Sequence, residues 1–563
     1  MINRFLWVTV VLVGTVFSVQ TQNLANPFDF PMQLSGSFCD LRAGHFHAGI
    51  DIRTQGTEGH AVHAVANGYI SRVSVSPSGY GNAVYITHPE SNLITVYGHL
   101  QRFTKNLTQK VKEQQYAQES FSIDLTFDST EFPVKQGDII AYSGNSGSSG
   151  GPHLHLEVRN LENNELIDPL TYYKSKIPDT RKPIIRGIIV YPVENKGIAN
   201  NSARKQKIDV TYDANENPLI KTNIEAWGDI GLEIRAVDRM NGTNFSYGVR
   251  NIVVETDDTE TFHSNPQRFF VEESRYLNTY TDYAEWSESG HFYINTFVEP
   301  GNNLRFITAR NAGIISIDEE RTYNITFTLT DIYGNKSVIP LKIKGKEQKI
   351  NSVDTENLLL FGWDKDNRFT DNGIRLSIPP GGLYKNLYPN YKILESNGFY
   401  SPVHQFLDFP VPLHKPAQIS IRIDSLIPDS NTDQYGIVKV KNGKITSWIG
   451  GSYMDGWMEA DISELSYYSV SRDTVNPVIT PLNTAKWREN KQIRIKISDT
   501  LSGIYSFRGE IDGKYALFEY DSKNALLKYT FDNERVPPGY HRIKLTVIDR
   551  CRNKSVYENA FTW

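Results

Sequence analysis

Three observations predict a mainly β protein: short runs of alternating apolar and polar residues, turns carrying glycine or asparagine between them, and a module that occurs twice. A chain of 563 residues exceeds what one hydrophobic core serves and suggests about three to five domains. The net charge of −5, with no local basic tract, gives no attraction for phosphate backbones, so nucleic acid is not an expected partner.

The first element is "MINRFLWVTVVLVGTVFSVQTQN". One basic residue, Arg4, precedes an apolar run from Phe5 to Phe17 that is too short to span a bilayer, so residues 1–22 are predicted to be a secretory signal peptide. No membrane span is expected once it is removed. Cys39 and Cys551, the two cysteines, lie at opposite ends and far from any cysteine neighbour, which argues against a disulfide framework or a zinc knuckle.

Residues 24–178 form the next unit and hold most of the histidines, so the chemistry is expected there. An excursion at about 102–133, polar and helix-prone in its first half and alternating in its second, interrupts this unit and is expected to wall the groove beside it. "DTRKPII" at 179–185 reads as a proline-bearing linker, and "DTVNPVI" at 473–479 repeats it. The echo continues in "VDRMNG" and "SDTLSG", and in "LTDIYGNKSV" and "VIDRCRNKSV". Two copies of one module follow, at 179–346 with an insertion and at 473–563 without one. Both resemble the immunoglobulin-like β-sandwiches common in secreted bacterial proteins. Between them, 352–472 is expected to be a third β-sandwich. Because exposed linkers carry few contacts, the 24–178 unit is expected to fold alone.

Three stretches of that unit bear the candidate chemistry. In "HFHAGID", an extended chain places His45, His47, Gly49 and Asp51 opposite Phe46, Ala48 and Ile50. In "LITVYGHL", Thr95, Tyr97 and His99 stand opposite Ile94, Val96 and Leu100; in "GPHLHLEV", His153, His155 and Glu157 stand opposite Leu154, Leu156 and Val158. One such strand is ordinarily a half-buried edge with a polar face. Three of them, each presenting histidine away from the oil, point to one groove. Imidazole and carboxylate are zinc ligands, and a catalytic zinc takes three of them with a fourth position left for water.

His-x-Gly-x-Asp, then "YGHL", then the glycine-rich "SGNSGSSGG" leading into Pro-His-Leu-His, resemble the lysostaphin-type (LytM-like) zinc metalloendopeptidases, hydrolases of peptide bonds in bacterial peptidoglycan. "ANGYI" and "GYGNAVYITH" support the same likeness. The resemblance covers about 35–172 and implies an antiparallel β peptidase fold of the duplicated hybrid motif type. It also implies Zn2+ held by His47, Asp51 and His155, with His153 and His99 as catalytic histidines. His153 is expected as the acid/base and His99 as a hydrogen-bond donor to the oxyanion. It further implies peptidoglycan stem peptides as substrate, a periplasmic or cell-envelope location in a bacterium, and β-sandwich modules that position the enzyme or meet an envelope protein. A noncatalytic envelope regulator on the same fold, or a peptidase for protein substrates, are the readings weighed against it. Of the remaining residues, His45 is expected behind the ligands or at the rim, with metal ligation as the lesser reading, His60 and His63 as structural or exposed, His88 in the core, and Glu157 as a partner of the ligands or plain polar surface.

Overall fold

The computed structural model describes residues 24–351, 354, 358–395, 398–423 and 429–563; the predicted signal peptide, 1–22, lies outside the described residues. The protein is mainly β. Its N-terminal unit is built on an antiparallel sheet. The strands are β1 (Leu34–Gly36), β2 (Ile50–Arg53), β3 (Gly68–Val75), β4 (Asn82–His88), β5 (Leu93–Leu100), β6 (Ile123–Thr126) and β7 (His153–Asn160). They run in the spatial order β1-β2-β7-β5-β4-β3-β6. The main core lies on one face, with Ile50, Ile52, Val73, Leu154, Leu156 and Val158 all buried. The excursion between β5 and β6 contains a helix, α1 (Lys105–Ala117), which buries Leu107 and Val111 against that core.

Alternation along β7 is as expected, since Leu154, Leu156 and Val158 enter the core while His155 and Glu157 face the other way. On β5 the expected faces are reversed. Tyr97 is wholly buried in the main core, and its hydroxyl accepts from the backbone N–H of Val65. Val96 belongs instead to a small cluster with Ala83 and Tyr85 on the opposite face. The run of apolar residues at both parities left the choice of face to tertiary packing, which used the larger aromatic ring to fill the core. "HFHAGID" is not one strand either: His45–Phe46 pairs with Leu41–Arg42, and β2 begins only at Ile50.

Contacts across the junction near residue 179 are extensive, contrary to the expectation of a sparse linker. A short strand, β8 (Leu166–Ile167), pairs with β7 on one side and on the other with Arg268–Phe269 of the following module. Phe46 is 1% exposed and sits among Phe269, Tyr280 and Phe306, inside the core of residues 179–346. The Tyr247 hydroxyl donates to the Leu34 carbonyl, the Gly248 N–H donates to Asp40, and Arg250 pairs with Asp168. Burial of a phenylalanine is worth roughly 1.5–3 kcal/mol, so this seam is an apolar one.

Residues 358–472 place two five-stranded sheets around one core, and residues 473–563 place two four-stranded sheets around another. Both are β-sandwiches, and the last module has no insertion. It folds back onto the N-terminal unit. Lys112 on α1 pairs with Asp532, Glu119 pairs with Arg508 at 2.7 Å, and the Arg535 guanidinium lies 3.6 Å from the centre of the Tyr116 ring. The excursion thus serves as a shelf for the final module, and the two enclose a cleft of about 560 Å3. Among the described residues no helix is long and apolar enough to cross a membrane.

Candidate metal centre

One row of paired residues crosses four strands: Gly36 on β1, Asp51 on β2, His155 on β7 and Gly98 on β5. The two chemically active members are central and glycines flank them. A Cβ on Gly36 would meet Asp51 Oδ2 at 2.4 Å, so only glycine leaves that carboxylate its space. His47 enters from the segment before β2. His47 Nε2, Asp51 Oδ1 and His155 Nδ1 stand 3.0 Å apart pairwise, and all three side chains are buried. They form one of three groups among the described residues with ligand atoms close enough to hold a metal.

The outward atoms of each ring decide what the inward atoms are. His47 Nδ1 lies 2.7 Å from the Ser37 carbonyl, which can only accept, so Nδ1 carries the hydrogen and Nε2 presents a lone pair. His155 Nε2 lies 2.9 Å from Glu157 Oε1, so its Nδ1 likewise presents a lone pair. Arg42 donates to Asp51 Oδ2 at 3.0 Å and leaves Oδ1 for the centre. Two nitrogen lone pairs and a carboxylate oxygen facing one another repel unless a proton or a cation lies between them. Their 3.0 Å spacing is close to the ~3.3 Å edge of a tetrahedron with bonds of about 2.0–2.1 Å to zinc, so the residues present fit that ion.

Glu157 proves central. It is fully buried, and its second oxygen accepts from Arg159 Nε at 2.7 Å while the Tyr80 hydroxyl donates to Oε1 at 2.5 Å. Burial opposes its charge, but the His155 hydrogen bond and the Arg159 guanidinium hold its carboxyl down to about 2. Burial likewise opposes ionisation of Asp51, and the positive charge that His47, His153 and His155 bring when a proton rather than a cation lies between them keeps it well below the usual carboxylate range. The sequence signal for Glu157 and Arg159 was the continued two-residue period, His153, His155, Glu157, Arg159, along one strand. Arg42 and Tyr80 had no such signal, because one reaches the site from a two-residue strand and the other from a turn.

His99 arrives by a different device. Strict alternation from Tyr97 would turn it into the core, but its backbone is left-handed, φ +59°, and this interrupts the alternation within β5 and swings the ring to the site. The ring centroid is 4.8 Å from that of His153 and 5.8 Å from that of His155. Its Nδ1 faces the Ser146 carbonyl at 2.9 Å. Burial and the neighbouring imidazoles of His155 and His153 push its pKa down to about 3. His153 Nδ1 faces the Gly151 carbonyl at 2.8 Å, and its Nε2 lies 3.4 Å from Asp51 Oδ1. Both rings therefore hang from carbonyls of the glycine-rich turn 144–151. That turn is packed against 76–81 so tightly that a Cβ on Gly147 (φ +67°) would lie 2.3 Å from the Gly81 nitrogen.

The structure thus brings together all five sequence-predicted site residues. The other histidines stand apart: His45 is exposed, His60 bonds to Thr57, His63 bonds to the Gly137 carbonyl, and His88 is wholly buried between Asn67 and Thr95.

The profile of Peptidase family M23 matches residues 45–119, which contain His47, Asp51 and His99. The chain carries a peptidase family M23 domain. A second profile, the Zu5-like domain, matches residues 359–473. A DD-carboxypeptidase/endopeptidase Mpg of Neisseria meningitidis is 29% identical over 148 residues, 26% of each protein. An uncharacterized metalloprotease of Haemophilus influenzae is 34% identical over 134 residues, 24% of this chain and 22% of that one. The chain therefore spans about a quarter of the length of the curated relatives it matches. Among solved structures, a mutant catalytic domain of the prophage-encoded M23 protein EnpA from Enterococcus faecalis is 28% identical. It covers 26% of this chain and 97% of its own, with a TM-score of 0.20.

Proposed function

We propose that this M23-domain protein is an exported zinc metalloendopeptidase that hydrolyses peptide cross-links of bacterial peptidoglycan in the periplasm or cell envelope. One observation carries the reading. Each of His47, Asp51 and His155 has its outer atom fixed by a hydrogen-bond partner, so that three lone pairs converge on one point. His47 Nε2, Asp51 Oδ1 and His155 Nδ1 would hold the zinc, which when bound supplies Lewis acidity to the water and to the scissile carbonyl.

The chain's own groups do the rest. His153, with its Nδ1 hydrogen committed to Gly151, offers Nε2 to take the proton of the attacking water and pass it to the leaving amine. His99 is fixed in the same sense by Ser146, so in its neutral form Nε2 accepts a hydrogen bond. This favours a role in orienting the water over the oxyanion-donor role expected from sequence. Peptidoglycan stem peptides are the proposed substrate, and the β-sandwich modules the proposed contact with envelope partners. The noncatalytic alternative finds less support, because all three ligand residues and both adjacent histidines are retained.

The test is mass spectrometry of peptidoglycan fragments released by the full chain with and without a chelator. We expect one zinc per chain, chelator-sensitive release of cross-link fragments, and loss of zinc in His47→Ala, Asp51→Ala and His155→Ala. His153→Ala and His99→Ala should keep zinc with turnover lowered by roughly two orders of magnitude or more. Full zinc in all three ligand variants would sink the metal assignment, and release that a chelator leaves untouched would sink the mechanism.

A further inference from the structure

The repeated motifs of the two immunoglobulin-like modules have no part in the peptidase site, yet they assemble the same constellation twice. In the first module Asp179 of the linker, Asp238 and Asp331 bring one carboxylate oxygen each to within 4.8 Å of one another; in the last, Asp473, Asp499 and Asp549 do the same. The positions correspond through "DTRKP" and "DTVNP", "VDRMNG" and "SDTLSG", and "TDIYGNKS" and "IDRCRNKS". Five of the six are more than nine-tenths buried. None forms an ion pair with lysine or arginine among the described residues.

Turn formation accounts for part of each cluster and leaves a remainder. Asp331 accepts from the N–H groups of Tyr333 and Asn335, and Asp549 from that of Asn553. The asparagine of each "NKS" donates to that same aspartate, at 2.7 and 2.9 Å, and also to the carbonyl of Asp179 or Asp473, at 3.3 and 3.1 Å. The serine of each donates to the linker proline carbonyl, Pro183 or Pro477, at 2.6 Å. These bonds explain the repeat and clamp the linkers. They do not satisfy Asp179 Oδ2, Asp238 Oδ1 or Asp499 Oδ1, which are buried without any hydrogen-bond donor. Asp238 is 4% exposed and Asp179 7%. Three carboxylates gathered in a low-dielectric site cannot all ionise unaided, and bare buried oxygens are costly. A hard divalent cation resolves both. Calcium takes six to eight oxygens at about 2.3–2.6 Å, so oxygens on one ion lie up to about 5 Å apart.

We propose that each module binds one calcium ion through its three aspartates, at Asp179, Asp238 and Asp331 and at Asp473, Asp499 and Asp549. Remaining coordination positions are filled by water or main-chain oxygen. Each ion ties the linker aspartate to two strand ends of the module it introduces, and so fixes the angle at which that module leaves its predecessor. The sites are independent of catalysis and of the zinc ligands.

Equilibrium binding of calcium chloride to the zinc-loaded full chain, with terbium luminescence as a second reading, tests this. The unmodified protein should bind two calcium ions, Asp238→Asn and Asp499→Asn should each bind one, and the double variant none, with zinc content unchanged throughout. Because a variant can fail to fold, the unmodified chain gives a second measure. Calcium should raise its thermal midpoint by several degrees and slow tryptic cleavage at Arg181–Lys182 at least tenfold. Failure of the unmodified chain to bind calcium at millimolar concentration, with no change in midpoint or cleavage, overturns the proposal. Two bound ions that persist in the double variant place them elsewhere and overturn it equally.

Discussion

The two repeated modules share their linker clamps but meet the peptidase domain through opposite kinds of surface. The first receives Phe46 into its own core and continues the peptidase sheet through β8. The last touches it through Lys112 and Asp532, Glu119 and Arg508, Ser522 and the Pro77 carbonyl, and Lys523, which donates to the carbonyls of Asn145 and Ser149. The difference teaches that a sequence repeat need not make the same interface twice. An apolar seam makes the first module part of the peptidase's folding unit, whereas a charged seam, screened by salt and solvent, leaves the last module separable.

Truncation should break the comparison most visibly. A fragment of residues 24–178 would leave Phe46 and the edge of β8 uncovered, so we expect it to be insoluble or unfolded, while residues 24–472 should remain soluble and zinc-loaded. Soluble yield and zinc content check this; a folded, active 24–178 would show the apolar seam to be dispensable. Phe46→Ala in the full chain should cost about 3–5 kcal/mol, the usual range for a buried phenylalanine, measured by denaturant unfolding of the peptidase transition. Glu157→Gln tests a residue that neither module touches, and should lower zinc affinity roughly 10–100-fold with the fold intact, as loss of a partner to a ligating histidine does. Lys112→Ala and Arg508→Ala should each cost less than ~1 kcal/mol, an effect that disappears in high salt. A salt-independent loss of several kcal/mol from either would make the second seam as integral as the first.

How much of this could be read from the chain depends on where each side chain obtains its direction. Asp51, His153 and His155 were legible because a family motif and a strand period both point to them, whereas His47 rests on the motif, since the strand expected through it is broken between Phe46 and Ile50. His99 was legible from the motif but not from the period, since the face assigned to β5 is reversed and a left-handed residue restores the ring to the site. Phe46 was readable as an inward residue, but a two-residue period says only that a side chain is buried, not which core receives it. Arg42 reaches the site from a two-residue strand and Tyr80 from a turn packed against 144–151, and no local pattern encodes either approach. The doubled aspartates were visible as an echo, and only the fold shows that each trio meets at a point.

The contact of Lys523 with the glycine-rich turn also has an order in time. The turn holds the two histidines beside the metal site, and its partner lies 374 residues further along the chain from Ser149. Chains are made from the N-terminus, and domains generally fold in that order. Every side chain of the candidate metal centre is therefore made long before the lysine that braces the turn. A newly made chain passes through an interval in which the residues of the candidate metal centre are present but the outer brace of the turn is not, and that interval closes only when the last module has folded and docked.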